Sequence, residues 1–569
     1  MSRLVSSLLE APRSWIVVLS VMLAAALAGL FTLPVMDRDE ARFAQATAQM
    51  LETGDLIRIS FLDEDRHKKP VGIHWIQVAT VTAGEIVSGA LEHRQIWAWR
   101  LASVLGAAWA ALFTMAMANR LLGHPAGLYA GTLVAAGILL GIESGIAKTD
   151  AMLAGITTAA LYALVRLREA GPGAARRWAV LLWALVAAGA LIKGPVTPLA
   201  VGLATAGLLL WERKWTWLRP LGFWPGPVLA ALILLPWLIS VQIATDGGFL
   251  REALGEDLGP KLVTGHESHG APPGLHTLLL PVLFFPAILF LPAGLRAGIH
   301  AIRKEGKGAV AARTLLVMSV PIWVVFELLP TKLPHYVLPA YPALAIFSAW
   351  GVMAWRETPA LWRWLGAGLT MIAGLVLALI LYLLAAQFDG PRLAAIVLAG
   401  VMLAATGAAI LFATRLRPAP AVLCAVLAAL VWQGAGRGLI APATNLFPAR
   451  DAAALIHAEG WLARDVAIRS SYTEPSLAFA LRSDIALLDA PELAQASADL
   501  SAEQLLIIDL SRLPDATSEA GARVYSFLGA VEEQACETAR IEGYNYSRGS
   551  PTSLLIARTG TCTTEAMRP

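Results

Sequence analysis

Residues 14–35 read SWIVVLSVMLAAALAGLFTLPV. The stretch carries no charge, and about 20 apolar residues suffice to cross the hydrocarbon core of a bilayer. Arg3 and Arg13 precede it, and no small-residue cleavage motif follows. It therefore reads as a retained first span rather than a removed leader. Twelve further stretches of this kind follow, at 97–119, 124–144, 150–166, 178–193, 195–211, 222–243, 275–295, 313–330, 335–355, 362–386, 393–413 and 419–439. The expectation is about 13 transmembrane helices. No internal repeat is evident.

Composition agrees. The chain has 569 residues, of which 57% are hydrophobic and 15% charged, against roughly 25% charged in soluble chains. Nineteen Trp residues suit a protein with indoles at the headgroup level. The net charge of +3 decides little; the placement of the basic residues decides more. With the N-terminus inside, one set of short loops holds Arg120; Arg166, Arg168, Arg176 and Arg177; Arg213, Lys214 and Arg219; Arg296, Arg303, Lys304, Lys307 and Arg313; Arg356; and Arg415 and Arg417. The opposite set holds single basic residues such as Lys148, Lys193, Lys332 and Arg392. The positive-inside rule places the first set in the cytoplasm, and an odd span count then places the C-terminal region outside. Segment 71–91 imitates a span but carries His74, Gln77 and Glu85. Counting it would invert every later loop, so it is expected to be an interfacial helix.

Two long stretches fall on the outer side, about 36–96 and 244–274. Within the first, residues 38–53 predict an amphipathic helix with Phe43, Met50 and Leu51 on one face. Asp37 with Glu40 resembles a capping box, and Gly54 suits the helix end. Beyond 440 the span pattern is lost. Short apolar strands (464–469, 484–489, 504–510) alternate with helical segments (450–459, 475–482), which predicts a small outer α/β domain over 440–569 after a transmembrane domain over 1–439. No CxxC pair or Cys/His cluster with zinc spacing occurs. Cys424 lies in an apolar run. Cys536 and Cys562 lie outside, where a disulfide between them and two separate thiols both stay open.

Ionisable groups within or beside spans are costly to bury and mark function. Here they are Asp37, Asp39, Glu40, Lys69, Asp150, Lys193, Lys261, His266, His269, Lys332 and His335. Some 300 residues separate them, yet the topology puts all of them on one face. Each has a structural alternative: a helix cap for Asp37 and Glu40, a snorkelling lysine at Lys193 and Lys332, and a local ion pair for Lys148 and Asp150. Carboxylates at Asp39 and Asp150 suit a general base or the steadying of positive charge. Lysines at 69, 193, 261 and 332 suit a phosphate, whose charge they would neutralise as it leaves. A phosphate ester departs without protonation, so only the acceptor needs a base.

Several short elements are specific in combination. They are Asp39-Glu40-Ala41-Arg42-Phe43-Ala44 after the first span, Lys68-Lys69-Pro70, Thr149-Asp150, Lys193-Gly194, His269-Gly270-Ala271-Pro272 with Lys261 eight residues earlier, and Lys332-Leu333-Pro334-His335-Tyr336-Val337-Leu338-Pro339. Together they resemble the bacterial lipid-carrier-dependent glycosyltransferases of the C-type membrane fold. Among these the chain is similar to the aminoarabinose transferases that modify lipid A, distant kin of the protein O-mannosyltransferases. The resemblance covers roughly residues 14–350; the C-terminal region matches in placement and size. It implies Asp39 as catalytic base and Asp150 as the second acidic position. It implies donor-phosphate contacts from Lys69, Lys261 and Tyr336, with Lys332 beside them. Glu40, Arg42, Lys193, His269 and His335 are further site candidates. Three departures matter: Phe43 stands for Tyr, Lys261 for Arg, which loses the bidentate fork, and Lys68 for a Glu associated in relatives with a bound metal. A divalent metal is thus a cofactor that the resemblance raises and Lys68 puts in question.

The expected activity is transfer of a glycosyl group, with inversion, from a polyprenyl (undecaprenyl) phosphate sugar to an envelope acceptor. Lipid A or a related glycolipid is the expected acceptor, and the periplasmic face of a bacterial inner membrane the expected place. The expected partners are that donor, a glycolipid and membrane lipid, with no nucleic acid, and the chain is expected to be a monomer. Two other readings share many features. A lipid-linked glycan transporter or flippase would hold its charges at the midplane on broken helices, whereas these cluster at one surface. A glycan ligase or polymerase with a pyrophosphate-linked donor is disfavoured by the Asp39-Glu40 and Lys332–Tyr336 elements.

Overall fold

The structure is a computed structural model. It describes residues 13–88, 94–253, 255, 259, 270–388, 390–443, 445–462 and 466–560. Among these, nine helices are long and apolar enough to cross a membrane, including Trp97–Leu122, Asp150–Glu169, Pro172–Lys193 and Pro334–Met353. This is a multi-pass membrane protein. The expected crossing at 124–144 is a pair, His124–Ala135 and Ile138–Ser144, bent by 59°; counted as one span it is the tenth. Those at 14–35 and 195–211 are shorter apolar helices, Ser14–Leu27 and Val196–Glu212. That at 275–295 is interrupted, running as Leu275–Leu283, a single turn Ala287–Leu289 and then Leu291–Lys304. The count of about thirteen thus includes four segments that are short or broken. Segment 71–91 forms the helix Gly72–Ser88, which is outside the set able to cross.

Small residues let the bundle close. Ile96–Leu122 and Asp150–Glu169 touch backbone to backbone: a Cβ on Gly106 would collide with the Met152 main chain, and one on Gly155 with the Gly106 carbonyl. Helices in lipid gain from such approach because hydrophobic burial does not drive their association. A Cβ on Gly72 would stand 2.7 Å from the Leu191 carbonyl oxygen. The helix Gly72–Ser88 therefore lies against the last turn of Pro172–Lys193.

The helix expected at 38–53 forms as Asp39–Thr53 and ends at Gly54, whose φ of 75° lets its N–H close on the Met50 carbonyl. Its start differs from the capping box. Arg38, with φ 67°, is the N-cap and no side chain caps the turn. Glu40 instead reaches back to the Met36 N–H at 2.8 Å, and the Asp37 carboxylate turns toward the C-terminal region. Both groups have better partners than the helix end.

A hairpin, β1 (Ser60–Phe61) and β2 (Glu64–Asp65), follows within the first expected outer stretch. The C-terminal region is a small α/β domain. Its sheet runs β4-β3-β5-β7-β6, built from β3 (Ala467–Ser470), β4 (Ala486–Leu487), β5 (Gln504–Asp509), β6 (Glu537–Asn545) and β7 (Ser550–Thr559). β3 pairs parallel with β4 and β5; β7 pairs antiparallel with β5 and β6. β5 is buried throughout because helices cover both faces. Leu505 and Ile507 pack with the helices Pro448–Ala458 and Pro475–Ala480, Leu506 and Ile508 with Ala490–Ala496 and Glu519–Gln534. The strand and helix positions expected up to 510 are close to those found; β6 and β7 were not expected. Cys424 is a free thiol and Cys536 is disulfide-bonded. Cys562 lies outside the described residues.

Candidate functional site

Five ionisable side chains from three helices, a 3-10 turn and a loop meet at one end of the bundle. Asp150 opens the helix Asp150–Glu169, Lys193 closes Pro172–Lys193, and His335 lies in the 3-10 turn Pro334–Ala340. Glu143 lies in the last turn of Ile138–Ser144, and Lys148 in the loop between that helix and Asp150. The Lys193 ammonium stands 2.5 Å from Asp150 Oδ1. The Lys148 ammonium is 3.1 Å from Glu143 Oε2, 3.6 Å from Asp150 Oδ2 and 3.4 Å from His335 Nδ1. His335 Nδ1 is also 3.5 Å from Glu143 Oε1, and its Nε2 is 3.5 Å from Asp150 Oδ1. Burial opposes charge on Lys148, but Glu143, Asp150 and, farther off, Asp39 outweigh it and raise its pKa. One ligand atom each from Glu143, Asp150 and His335 lies within 4.8 Å of the others, a candidate cation cluster among the described residues.

The site candidates divide. Asp150, Lys193 and His335 are in this cluster. Tyr336 borders it, its ring 5.6 Å from the Lys193 ammonium and edge-on to His335. Asp39 is the exposed first residue of its helix, close enough to act on Lys148 electrostatically. Arg42 is partly exposed one turn later. Lys69 donates to the Lys68 carbonyl at 3.0 Å. Lys332 is buried, donating to the Ala271 carbonyl at 2.8 Å and to the Leu329 carbonyl. Together with the Gly270–Thr331 bridge it fixes the exit of the second outer stretch. His276 does similar work, with Nδ1 2.7 Å from Glu327 and Nε2 3.1 Å from the Leu333 carbonyl. Lys261, His266 and His269 lie outside the described residues.

Glu40 stands behind the site. Its carboxylate accepts two bonds from Arg100 at 2.8 Å, one from the Ala147 N–H at 2.7 Å and one from Met36. It thus ties the first span's exit, the helix Asp39–Thr53 and the loop that carries Lys148. A second strut runs beside it. The Thr47 hydroxyl donates to Gln77 Oε1 at 2.6 Å, and Gln77 Nε2 donates to the Ala147 carbonyl at 3.2 Å. His74 Nδ1 sits 2.7 Å from the same Thr47 oxygen. That hydroxyl's one proton has the Gln77 oxygen and, at 3.0 Å, the Phe43 carbonyl as acceptors, which leaves its oxygen to accept from the His74 Nδ1–H tautomer. Burial pushes the His74 pKa down to about 3. Buried His67 lies between Glu252, at 3.1 Å, and Asp65, at 3.6 Å, linking the first outer stretch to the start of the second.

Sequence reasoning missed Glu143, Arg100 and the Thr47–His74–Gln77 strut. The available signal was a lone acid in the apolar run 124–144, which ought to have been read as costly to bury.

The profile described as dolichyl-phosphate-mannose-protein mannosyltransferase matches residues 68–239. An undecaprenyl phosphate-alpha-4-amino-4-deoxy-L-arabinose arabinosyl transferase from Pseudomonas aeruginosa is 30% identical over 315 residues, 54% of each chain. A transferase of the same description from Edwardsiella ictaluri is 26% identical over 318 residues, 55% of this chain and 54% of the relative. The chain thus spans about half the length of the curated relatives it matches. The crystal structure of ArnT from Cupriavidus metallidurans bound to undecaprenyl phosphate superposes with a TM-score of 0.74 at 19% identity, covering 98% of this chain and 100% of that one. The overall fold is therefore that of ArnT, a C-type membrane glycosyltransferase fold, as expected.

Proposed function

We propose that the chain transfers a glycosyl group from a polyprenyl-phosphate sugar to an envelope glycolipid, lipid A or a close relative, at the periplasmic face of a bacterial inner membrane. The observation that carries this is the convergence on Asp150 of Lys193, Lys148 and His335, with Asp39 near enough to Lys148 to act on its charge. The relatives named for undecaprenyl-phosphate-linked aminoarabinose support a monophosphate donor. In this reading a transmembrane domain over 1–439 holds the site, and a periplasmic domain over 440–569 lies beside it. The chain acts as a monomer.

The donor phosphate would rest against Lys69, Lys261 and Tyr336, with Lys332 holding the outer stretch that closes over it. Ammonium groups at a departing phosphate stabilise charge as it develops, in a site where little water competes. Asp39 would take the acceptor proton, or orient the acceptor where it is already an anionic phosphate. Attack from the face opposite the phosphate inverts the anomeric carbon. Asp150, fixed by two ammoniums, would position Lys148 and Lys193. Arg42, and His269 with His335, would line the approach, while Glu40, buried against Arg100, would hold the loop that carries Lys148.

The test is transfer by purified, detergent-solubilised protein offered a panel of polyprenyl-phosphate sugars and total envelope lipid, with products read by mass spectrometry. Wild type is expected to transfer, and a folded Asp39→Asn variant to lose roughly 100- to 10,000-fold in rate. A stable wild type that transfers nothing and instead moves the carrier lipid across liposomes would establish the transporter reading.

A further inference from the structure

The resemblance to metal-associated transferases raises the question of whether a divalent ion fits here. The residue that resemblance links to a metal is Lys68, a cation, in this chain. The described residues nevertheless contain three side chains of the right chemistry in one place. Glu143, Asp150 and His335 are two carboxylates and an imidazole, the donors that suit Zn²⁺ or Mn²⁺. All three are well buried, and they come from separate helices that the bundle holds together.

That space is already taken. Lys148 Nζ lies 3.1, 3.6 and 3.4 Å from one atom each of Glu143, Asp150 and His335. These are hydrogen-bond and ion-pair distances, whereas a bound Zn²⁺ would stand at about 2.0–2.2 Å from its N and O ligands. Lys193 holds Asp150 from the other side at 2.5 Å. Counted with both acids ionised, both lysines protonated and His335 neutral, the set carries no net charge. A divalent ion added to this set would leave two uncompensated positive charges in a buried site, so Lys148 would have to swing out or lose its proton. A buried group set that is already paired has no need of a further ion.

We propose that the Lys148 ammonium is the built-in cation of this cluster, standing where a divalent metal would otherwise be held by Glu143, Asp150 and His335. The tethered cation does the structural work of an ion: it keeps two carboxylates and an imidazole together at the mouth of the site. Unlike a metal, it is not lost to chelators and offers no open coordination position.

The measurement is metal content, which depends on neither the donor nor the acceptor and so stands apart from the proposed reaction. Full-length protein in detergent is stripped with EDTA, given Zn²⁺ or Mn²⁺, desalted and read by elemental analysis. Wild type is expected to retain no stoichiometric ion. Lys148→Ala, which empties the space and leaves the three donors, is expected to retain one. Lys148→Arg restores a cation and should abolish that retention, as should adding Glu143→Gln to Lys148→Ala. A wild type that keeps a stoichiometric ion, and loses it on Glu143→Gln, overturns the proposal. So does a folded Lys148→Ala that retains none. If Lys148→Ala proves unstable, Lys148→Ser serves in its place, and the wild-type result decides independently of both.

Discussion

Arg100 and Glu40 meet fork to fork. Nε donates to Oε1 and Nη2 to Oε2, both at 2.8 Å, and both side chains are fully buried. The remaining guanidinium protons reach the carbonyls of Leu33 and Pro34, each at 2.8 Å, and of Leu30 at 3.3 Å. Nothing in this pair faces water, so its value lies in its completeness: every polar atom is met, and four chain segments are held in register. Removing one partner strands a buried charge.

Arg100→Met is therefore expected to cost about 3–5 kcal/mol. The double variant Glu40→Gln/Arg100→Met, which removes the stranded carboxylate while keeping an amide oxygen for the Ala147 N–H, should recover a clear part of that loss. Thermal unfolding in detergent reads both. Equal destabilisation of single and double variants would show that the pair contributes packing alone.

Asp37 gives a pH dependence with a definite sign. Its carboxylate accepts from the Ser476 N–H at 3.0 Å, and its own N–H donates to the Tyr546 hydroxyl, so it joins the first span's exit to the C-terminal domain. Burial raises its pKa from 3.8 to about 6. A raised folded-state pKa means the folded chain binds the proton more tightly than the unfolded one. The stability this contributes is full below about pH 4 and is lost as pH rises through about 6. Asp37→Asn keeps the acceptor oxygen without the charge. Its Tm should exceed that of wild type at neutral pH, and the gap should shrink toward about pH 4. A gap that stays constant with pH would rule out this titration.

His74 works in the opposite direction. Its folded-state pKa is pushed from 6.5 down to about 3, chiefly by burial and secondly by Arg66. The unfolded chain binds this proton first, so the stability His74 contributes is present above 6.5 and declines as pH falls toward 3. His74→Gln should flatten the acid limb of the Tm–pH curve between those values while leaving the neutral limb lower, because the Thr47 contact is disturbed. An unchanged acid limb would mean that other groups govern it.

Much of this was legible in advance, and the pattern of success is physical. Asp150, Lys193 and His335 stand out because a charge or imidazole beside an apolar run has few inexpensive explanations. Asp37 and Glu40 were read as a local cap because spacing shows only near neighbours. Their actual partners, Ser476 and Arg100, lie 439 and 60 residues away. Glu143 was hidden inside a run whose break, at Ala136–Gly137, carries no proline. β6 escaped because few of its residues are apolar. Thr538, Arg540 and Glu542 point to solvent, as suits an edge, and the inward alternation is carried by Ala539 and Ile541 alone, too thin an apolar pattern to mark a nine-residue strand.

The last prediction concerns two glycines. A side chain on Gly106 would strike the backbone at Ala151 and Met152, next to Asp150. The contact lies far from solvent and backbone cannot rotate aside, so the helix Asp150–Glu169 must move bodily, carrying Asp150 away from Lys193 and His335. Overpacking of this kind costs roughly 1–3 kcal/mol, and a displacement near 1 Å at a site can cost about 100-fold in rate. Gly106→Ala is thus expected to lower Tm and to lower transfer far more than Tm would account for. Gly400→Ala is the control: it lies in the helix Arg392–Thr414 with open space around its would-be Cβ. That change should leave transfer intact and raise stability slightly, by up to about 1 kcal/mol, as alanine favours the helix. If Gly106→Ala behaved like Gly400→Ala, the close approach of these two helices would not be what sets Asp150 in place.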